Sequence, residues 1–206
     1  MVTTIPPAHE CRLIQPRCFK ENLTSDCTLA ADCTDIFIEA PRGDLGKRRA
    51  CYSDYRGGQT FKTLIAMLPS GAITYCSSFY GGKTSDKDIC SSSGFYQQLT
   101  AGHRLAVDKG FLIEKELPQG VSLAMPSFRK KGSQFTNTQF YKSKIISRAR
   151  SHVERINERI KNYSILRLLS HHYRSIATDI LVVVCHLVNM QSSIMNETSD
   201  LLAKLN

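Results

Sequence analysis

The sequence predicts a mixed α/β domain, in which an antiparallel meander comes first and helices cover the sheet afterwards. Three observations carry that expectation. Cys27–Glu39 (CTLAADCTDIFIE) is rich in apolar and β-branched residues and is followed closely by Pro41, as a strand would be. Phe61–Leu68 and Ala72–Phe79 flank Pro69-Ser70-Gly71, which reads as a hairpin with turn residues at its tip. From Thr138 the apolar spacing changes: Ile145, Ala149, Val153, Ile156 and Ile160 follow i+3/i+4 steps, the period of a helix.

The remaining elements follow in chain order. Residues 1–26 hold Pro6, Pro7 and Pro16 and show no clear period, so they read as an extended N-terminal arm. Residues 41–60 are Gly-rich and charged and read as a long loop. Gly81-Gly82-Lys83 ends the second arm of the hairpin. Ser85 has the look of a helix N-cap, with Asp88 three residues on in the place of the usual Glu or Gln, and a short helix to Leu99 is expected after it. Arg104–Asp108 is a compact apolar strand that ends on a carboxylate, and Ser122–Met125 is another, stopped by Pro126. A long helix is expected from Thr138 to about Lys161, then shorter ones near Ile165–His171 and Ser175–Gln191. Residues 193–206 are left as a C-terminal tail.

A chain of 206 residues with 42 % apolar content is long enough to bury one core of ordinary size. Its formal charge of +9 points to an anionic partner. That charge is concentrated. Residues 129–174 carry 12 basic side chains against Glu154 and Glu158, whereas residues 1–128 are nearly balanced. So little acidic compensation favours a phosphate-contacting surface over an ordinary solvated helix face. The eight cysteines form no CxxC pair, so neither a structural zinc site nor a disulfide framework is expected. The N-terminus shows no basic segment followed by an apolar one, so reduced, buried thiols inside a cell are the expectation. The longest apolar run, Ile180–Val188, is far short of the ~20 residues of a membrane span.

Three carboxylates stand in unusual places. Asp32 lies inside the first strand, Asp108 ends the strand RLAV, and Glu154 sits in the middle of the most basic helix. A charge inside an apolar strand is costly unless it is paired, protonated or shared with a metal. Mg²⁺ takes a few carboxylate oxygens together with waters and substrate phosphate, and two such ions about 4 Å apart suit phosphodiester chemistry. Ordinary ion pairing is the competing reading: Glu154 with Arg150, and Asp108 with Lys109 or Arg104. Asp35 is the nearest rival to Asp32. Three residues apart on one strand, the two face opposite sides, so one of them is expected to point at a site.

Four segments carry a family resemblance: ADCTDIFIEAP (31–41), YSDYRGGQTFKTLIAMLPSGAITYCSSFYGGKTSDK (52–87), AVDKGF (106–111) and RARSHVERINERIKNYSIL (148–166). In order and spacing they resemble the DDE endonuclease domain of PIF/Harbinger-type transposases, of the DDE Tnp4 type that accompanies THAP domains in invertebrate sequences. The resemblance implies an RNase H-like fold over residues 27–192: a mixed sheet with flanking helices. It implies Asp32, Asp108 and Glu154 as catalytic residues and as the ligands of two Mg²⁺ or Mn²⁺ ions. Asp86 of TSDK matches a recurrent family aspartate, although a helix-capping role would account for it equally. The implied reaction is cleavage of a phosphodiester at a transposon end by an activated water, followed by attack of the freed 3′-OH on target DNA. Lys62, Lys142, Lys144, Arg148, Arg150 and Arg155 would contact phosphates, which position DNA without reading its sequence.

Full-length members of that family carry an N-terminal zinc-binding THAP module and a helix-turn-helix, and only residues 1–26 precede the first strand here. Recognition of DNA ends is therefore expected to come from a missing segment or a separate protein, and a homo-oligomer is compatible with such chemistry. The basic clusters GKRRA (46–50) and FRKKG (128–132) suit nuclear import and suit DNA contact equally. A truncated or domesticated transposase that binds DNA or protein without cutting is the second function class. A membrane-surface role is disfavoured, because the basic helix lacks an exposed Trp- or Phe-rich apolar face.

Overall fold

The structure is a computed structural model, and it describes residues 4–16, 27–108, 111, 113–124 and 152–192. Strand β1 is Leu29–Phe37, and it pairs antiparallel with β3, Gly58–Met67, over the register Ala30↔Met67 to Phe37↔Thr60. The outer edge of β3 carries three short strands: β2 (Tyr52–Ser53), β4 (Ile73–Cys76) and β5 (Tyr80–Gly81). On its other side β1 pairs in parallel with β6, Arg104–Ala106, which pairs in parallel with β7, Ser122–Ala124. The seven-stranded sheet, in the order β2-β3-β1-β6-β7 with β4 and β5 also on β3, is antiparallel on one side of β1 and parallel on the other, a mixed sheet of the RNase H-like kind.

Both faces of the sheet are covered, so its central strands are apolar on both sides rather than alternating with polar residues. Ala30, Ile36, Ile65, Met67 and Ala106 face one cluster, closed by Val153, Ile156 and Ile160 of helix α5 (152–161) and by Leu181, Val184, Cys185 and Val188 of helix α7 (Ala177–Asn189). A four-residue helix, α6 (Ser164–Arg167), and a 3₁₀ segment, His171–Ile176, join the two. Leu29, Ala31, Leu64, Ala66, Leu105 and Val107 face the opposite cluster, closed by Cys11 of α1 (Ala8–Leu13), Ile89 and Cys90 of α3 (Asp86–Ser92), and Phe95 of α4 (Phe95–Gln98).

The hairpin forms as expected. Leu68 N–H donates to Ala72 O, Gly71 N–H donates to Leu68 O, and Gly71 takes φ 95°, a conformation that glycine reaches without a Cβ penalty. Ser85 does cap α3, accepting from Asp88 N–H at 3.1 Å while its own hydroxyl donates to the Asp88 carboxylate at 2.6 Å.

Four expectations are corrected. The N-terminal segment is not wholly extended, because Ala8–Leu13 is helical and seats Ile5, Ala8 and Cys11 against the core. Residues 41–60 are not all loop. Helix α2, Leu45–Cys51, forms under the Asp44 cap, whose carboxylate accepts from Lys47 N–H, and β3 already begins at Gly58. That helix is polar nearly all round and buries Cys51 alone, so it shows no apolar period. The helix after Ser85 divides into α3 and α4 at Gly94, whose φ of 82° breaks the helical run. The strand drawn from Arg104 to Asp108 ends in the ladder at Ala106. The N-terminal part of the long basic helix, up to residue 151, lies outside the described residues, as do 17–26 and the tail 193–206.

Beyond β1, an isolated parallel bridge joins Ile38 to Leu169, and Glu39 anchors the start of the 3₁₀ segment. Its carboxylate accepts from His171 N–H at 3.0 Å, from the His171 ring at 2.6 Å and from the Ser170 hydroxyl at 3.2 Å. The His171 backbone N–H, helped by the ring, holds the Glu39 carboxyl down to about 2. A depressed carboxylate contributes stability that is present above its unfolded pKa and is lost as pH falls through the folded value. Acid unfolding of Glu39→Gln is therefore expected to show a shallower loss of stability between about pH 4.5 and about 2 than the parent, and chemical denaturation at stepped pH measures it.

Candidate active site

The register of the two central parallel strands builds the site. Leu29 pairs with Leu105 and Ala30 with Ala106, and Asp32 and Asp108 stand two residues beyond Ala30 and Ala106, which share one face of the sheet. That face is the one helix α5 covers. Val153 and Ile156 are buried on it, and Glu154 emerges at its solvent edge, exposed. Asp32, Asp108 and Glu154 thus border one cleft of about 540 Å³, whose walls also include Asp35, Arg56, Lys62 and Asp86.

Asp32 is half-buried and accepts a hydrogen bond from Asn157 Nδ2 at 3.0 Å. Asn157 is 6 % exposed and lies three residues beyond Glu154, so one turn of α5 supplies both a carboxylate to the cleft rim and an amide that orients the carboxylate of β1. Lys161, four residues further on, keeps its ammonium close to the same acids. Burial and the Arg56 guanidinium push its pKa down, while Asp35 and Asp32 pull it up. Sequence reading passed over Asn157, Lys161 and Arg56. The helical period from Glu154 carries the signal for the first two; Arg56 lies in a turn that only the fold brings round.

Asp35 borders the cleft as well, which strand alternation alone does not anticipate. Its carboxylate is engaged: Thr60 Oγ1 donates to it at 2.9 Å and Arg56 Nε lies 3.6 Å away. Asp86 is likewise a cleft residue rather than the helix cap, a task Ser85 performs. Its carboxylate lies 3.3 Å from Lys62 Nζ, which also donates to Thr84 O at 3.0 Å. Lys62 therefore stands in the wall, 17 % exposed, bound to Asp86 across β3 and the start of α3. Arg155 is exposed beside Glu154. Lys142, Lys144, Arg148 and Arg150 lie outside the described residues. Cys33, beside Asp32, is pushed far above the ordinary thiol range by burial and by Asp86, so it lines the cleft as an inert thiol.

The donor set fits a hard divalent cation in kind, being three carboxylates with no sulfur or imidazole among them. The spacing is looser than a finished coordination shell: among the described residues no three His, Cys, Asp or Glu groups are close enough to hold a metal ion. The cleft gathers the acids without closing on a centre.

Residues 31–189 match the family model described as DDE superfamily endonuclease. The chain belongs to that family. No curated protein and no solved structure gives a match. Family membership makes the chain a transposase-derived nuclease domain in general terms and associates it with divalent-metal chemistry. The match spans the sheet, the cleft and α7, and it begins beside Asp32. None of the described helices of this DDE endonuclease domain is long and apolar enough to cross a membrane.

Proposed function

We propose that the cleft cuts DNA phosphodiester bonds in a metal-dependent reaction, as the nuclease core of a PIF/Harbinger-type, THAP-associated transposase. The observation that supports this best is the meeting of Asp32, Asp108 and Glu154, separated by 76 and 46 residues, at one cleft. Asp32, Asp108 and Glu154 would hold Mg²⁺ or Mn²⁺, as a pair of ions. The bound metal would supply an activated water and stabilise the leaving oxygen in an in-line displacement. The chain's own residues do the rest. Asn157 fixes the rotamer of Asp32 by its 3.0 Å hydrogen bond, so the carboxylate is oriented before substrate arrives. Lys62 and Asp86 hold the wall between β3 and α3. Arg155, with Lys142, Lys144, Arg148 and Arg150, supplies cations for the DNA backbone. The same site would carry out strand transfer, with a 3′-OH in place of water.

Choice of DNA ends is assigned to a separate recognition protein or domain, and the site of action to the nucleus, with Lys47, Arg48 and Arg49 of the exposed helix α2 as an import signal. The alternative is a domesticated domain that binds DNA or protein without cutting. The looser spacing of the acids favours it.

Nicking of supercoiled DNA in Mg²⁺ or Mn²⁺, by the parent and by Asp108→Asn, decides between them. Cutting by the parent that disappears in the variant supports the nuclease. A well-folded parent that shifts DNA in a gel and leaves it uncut selects the binding role.

A further inference from the structure

The turn between β2 and β3 supplies none of the acids assigned to the metal, yet it stands at the cleft. Tyr55 and Arg56 line the cleft from this turn. Tyr55 is 85 % exposed, the most exposed Phe or Tyr among the described residues. A solitary exposed ring is ordinary on a protein surface. This one is held in place. Gly57 N–H donates to Ser53 O at 2.9 Å, Arg56 N–H donates to Ser53 Oγ at 3.3 Å, and Gly57 takes φ 64°, so the turn is closed. The Arg56 guanidinium lies 4.9 Å from the centre of the Tyr55 ring, within cation–π reach. Arg56 Nε is in turn 3.6 Å from the Asp35 carboxylate of β1, which accepts from Thr60 Oγ1 of β3 at 2.9 Å. The ring is thus carried on contacts that run back to the sheet, through Arg56 and Asp35 to Thr60.

Charge, size and ring face together select the occupant. The cleft is lined by five carboxylates and by two cations, Arg56 and Lys62, and Lys62 is bound to Asp86. Arg56 approaches Asp35 through Nε while its side chain is 39 % exposed, so its fork is open to a backbone phosphate. Helix α2, directly before β2, adds exposed Lys47, Arg48 and Arg49, and Tyr52 at its C-cap is 41 % exposed. Cations interleaved with aromatic rings are the pattern of a surface that follows one nucleic-acid strand, the cations taking phosphates and the rings taking base faces. A duplex keeps its base faces inside its own stack, so only an unpaired base can lie on Tyr55. A cleft of about 540 Å³ is of the size that takes one small ligand, which admits one strand at the acids rather than two.

We propose that the β2–β3 turn is a nucleotide platform: Tyr55 stacks on an unpaired base beside the bond to be cut, and Arg56 holds that nucleotide's phosphate. The inference rests on the nuclease reading of the cleft and names its substrate there, DNA whose strands are parted locally at the acids.

Fluorescence anisotropy of the full chain tests this apart from cutting, in EDTA and again in Ca²⁺, at one fixed salt concentration. The probes are a labelled single strand, the same sequence as a closed duplex, the duplex with a short mismatched bubble, and the single strand with abasic sites. Tyr55→Ala is expected to weaken binding of the single strand and the bubble about tenfold, and of the closed duplex less than twofold. Tyr55→Phe binds as the parent does, because the ring is kept. On the abasic strand the parent and Tyr55→Ala bind alike, whereas Arg56→Ala still weakens binding, because the phosphate contact does not need the base. The melting temperature of Tyr55→Ala is unchanged, since the side chain is exposed. A Tyr55→Ala chain that binds the bubble as the parent does in both conditions overturns the proposal. So does equal weakening on the closed duplex or the abasic strand, an Arg56→Ala chain that holds the abasic strand as the parent does, or tighter binding of an RNA strand of the same sequence. Tyr55-dependent binding without nicking in Mg²⁺ removes the nuclease reading and supports the platform. Nicking that is indifferent to Tyr55→Ala removes the platform and leaves the nuclease.

Discussion

Asp32→Asn is expected to lower metal-dependent nicking by on the order of 10²–10³-fold or more, with the melting temperature changed by only a few degrees. Asparagine has the shape of aspartate, and its carbonyl oxygen still accepts from Asn157 Nδ2, so the contact between β1 and α5 survives. The negative charge does not survive, and with it goes the attraction for a divalent cation at the point where β1, β6 and α5 meet. The effect is expected to be large because Asp32 borders the same cleft as Asp108 and Glu154, and Asn157 holds its carboxylate in place. Nicking rate and thermal melt measured on the same preparation test it. Cutting within a few-fold of the parent would remove Asp32 from the site.

Ile160→Ala is expected to destabilise the domain by about 2–5 kcal/mol, read as a lower urea midpoint at unchanged slope. Ile160 is fully buried, and with Ile156 and Val153 it seats α5 on Ile65, Ala106 and the inner face of α7. The truncation leaves a cavity under the helix that supplies Glu154 and Asn157. Nicking by the surviving folded fraction should fall as well, because half an ångström of slack in α5 is enough to spoil an oriented carboxylate. Loss of stability with full activity per folded molecule would show that the pose of α5 does not govern the cleft.

The elements that sequence reading located well are those whose cause is local. The hairpin turn at Pro69-Ser70-Gly71 and the Ser85 cap each depend on a few adjacent residues, and they form as the residues indicate. The strand β1 was legible because a nine-residue apolar, β-branched run has few other uses. Helix α2 was not legible, since its faces are almost all polar and its stability rests on the Asp44 cap and on propensity rather than on a buried stripe. Helix α1 was hidden by its prolines. Pro7 in fact stands just before the first turn, where the lack of an N–H costs nothing. The break at Gly94 was masked by the apolar residues on either side of it.

The candidate site divides in the same way. Residue chemistry by itself singled out the acids: aspartates in apolar strand contexts and a glutamate alone in a field of cations are expensive to keep without a partner, whether a cationic side chain or a metal. It also determined which face of α5 would be buried, because the helical period is written in every third and fourth residue. Tertiary structure alone decided which acids share a cleft, since that depends on the parallel register of β1 with β6 over 76 residues of intervening chain. It decided that Asp35 is engaged by Thr60 and Arg56, that Asp86 is held by Lys62, and that Asn157 steadies Asp32. These are pairings of residues 21 to 125 positions apart, on different elements, with no local preference to betray them. Local chemistry selects residue types, whereas long-range register selects partners, and a catalytic cleft is a matter of partners.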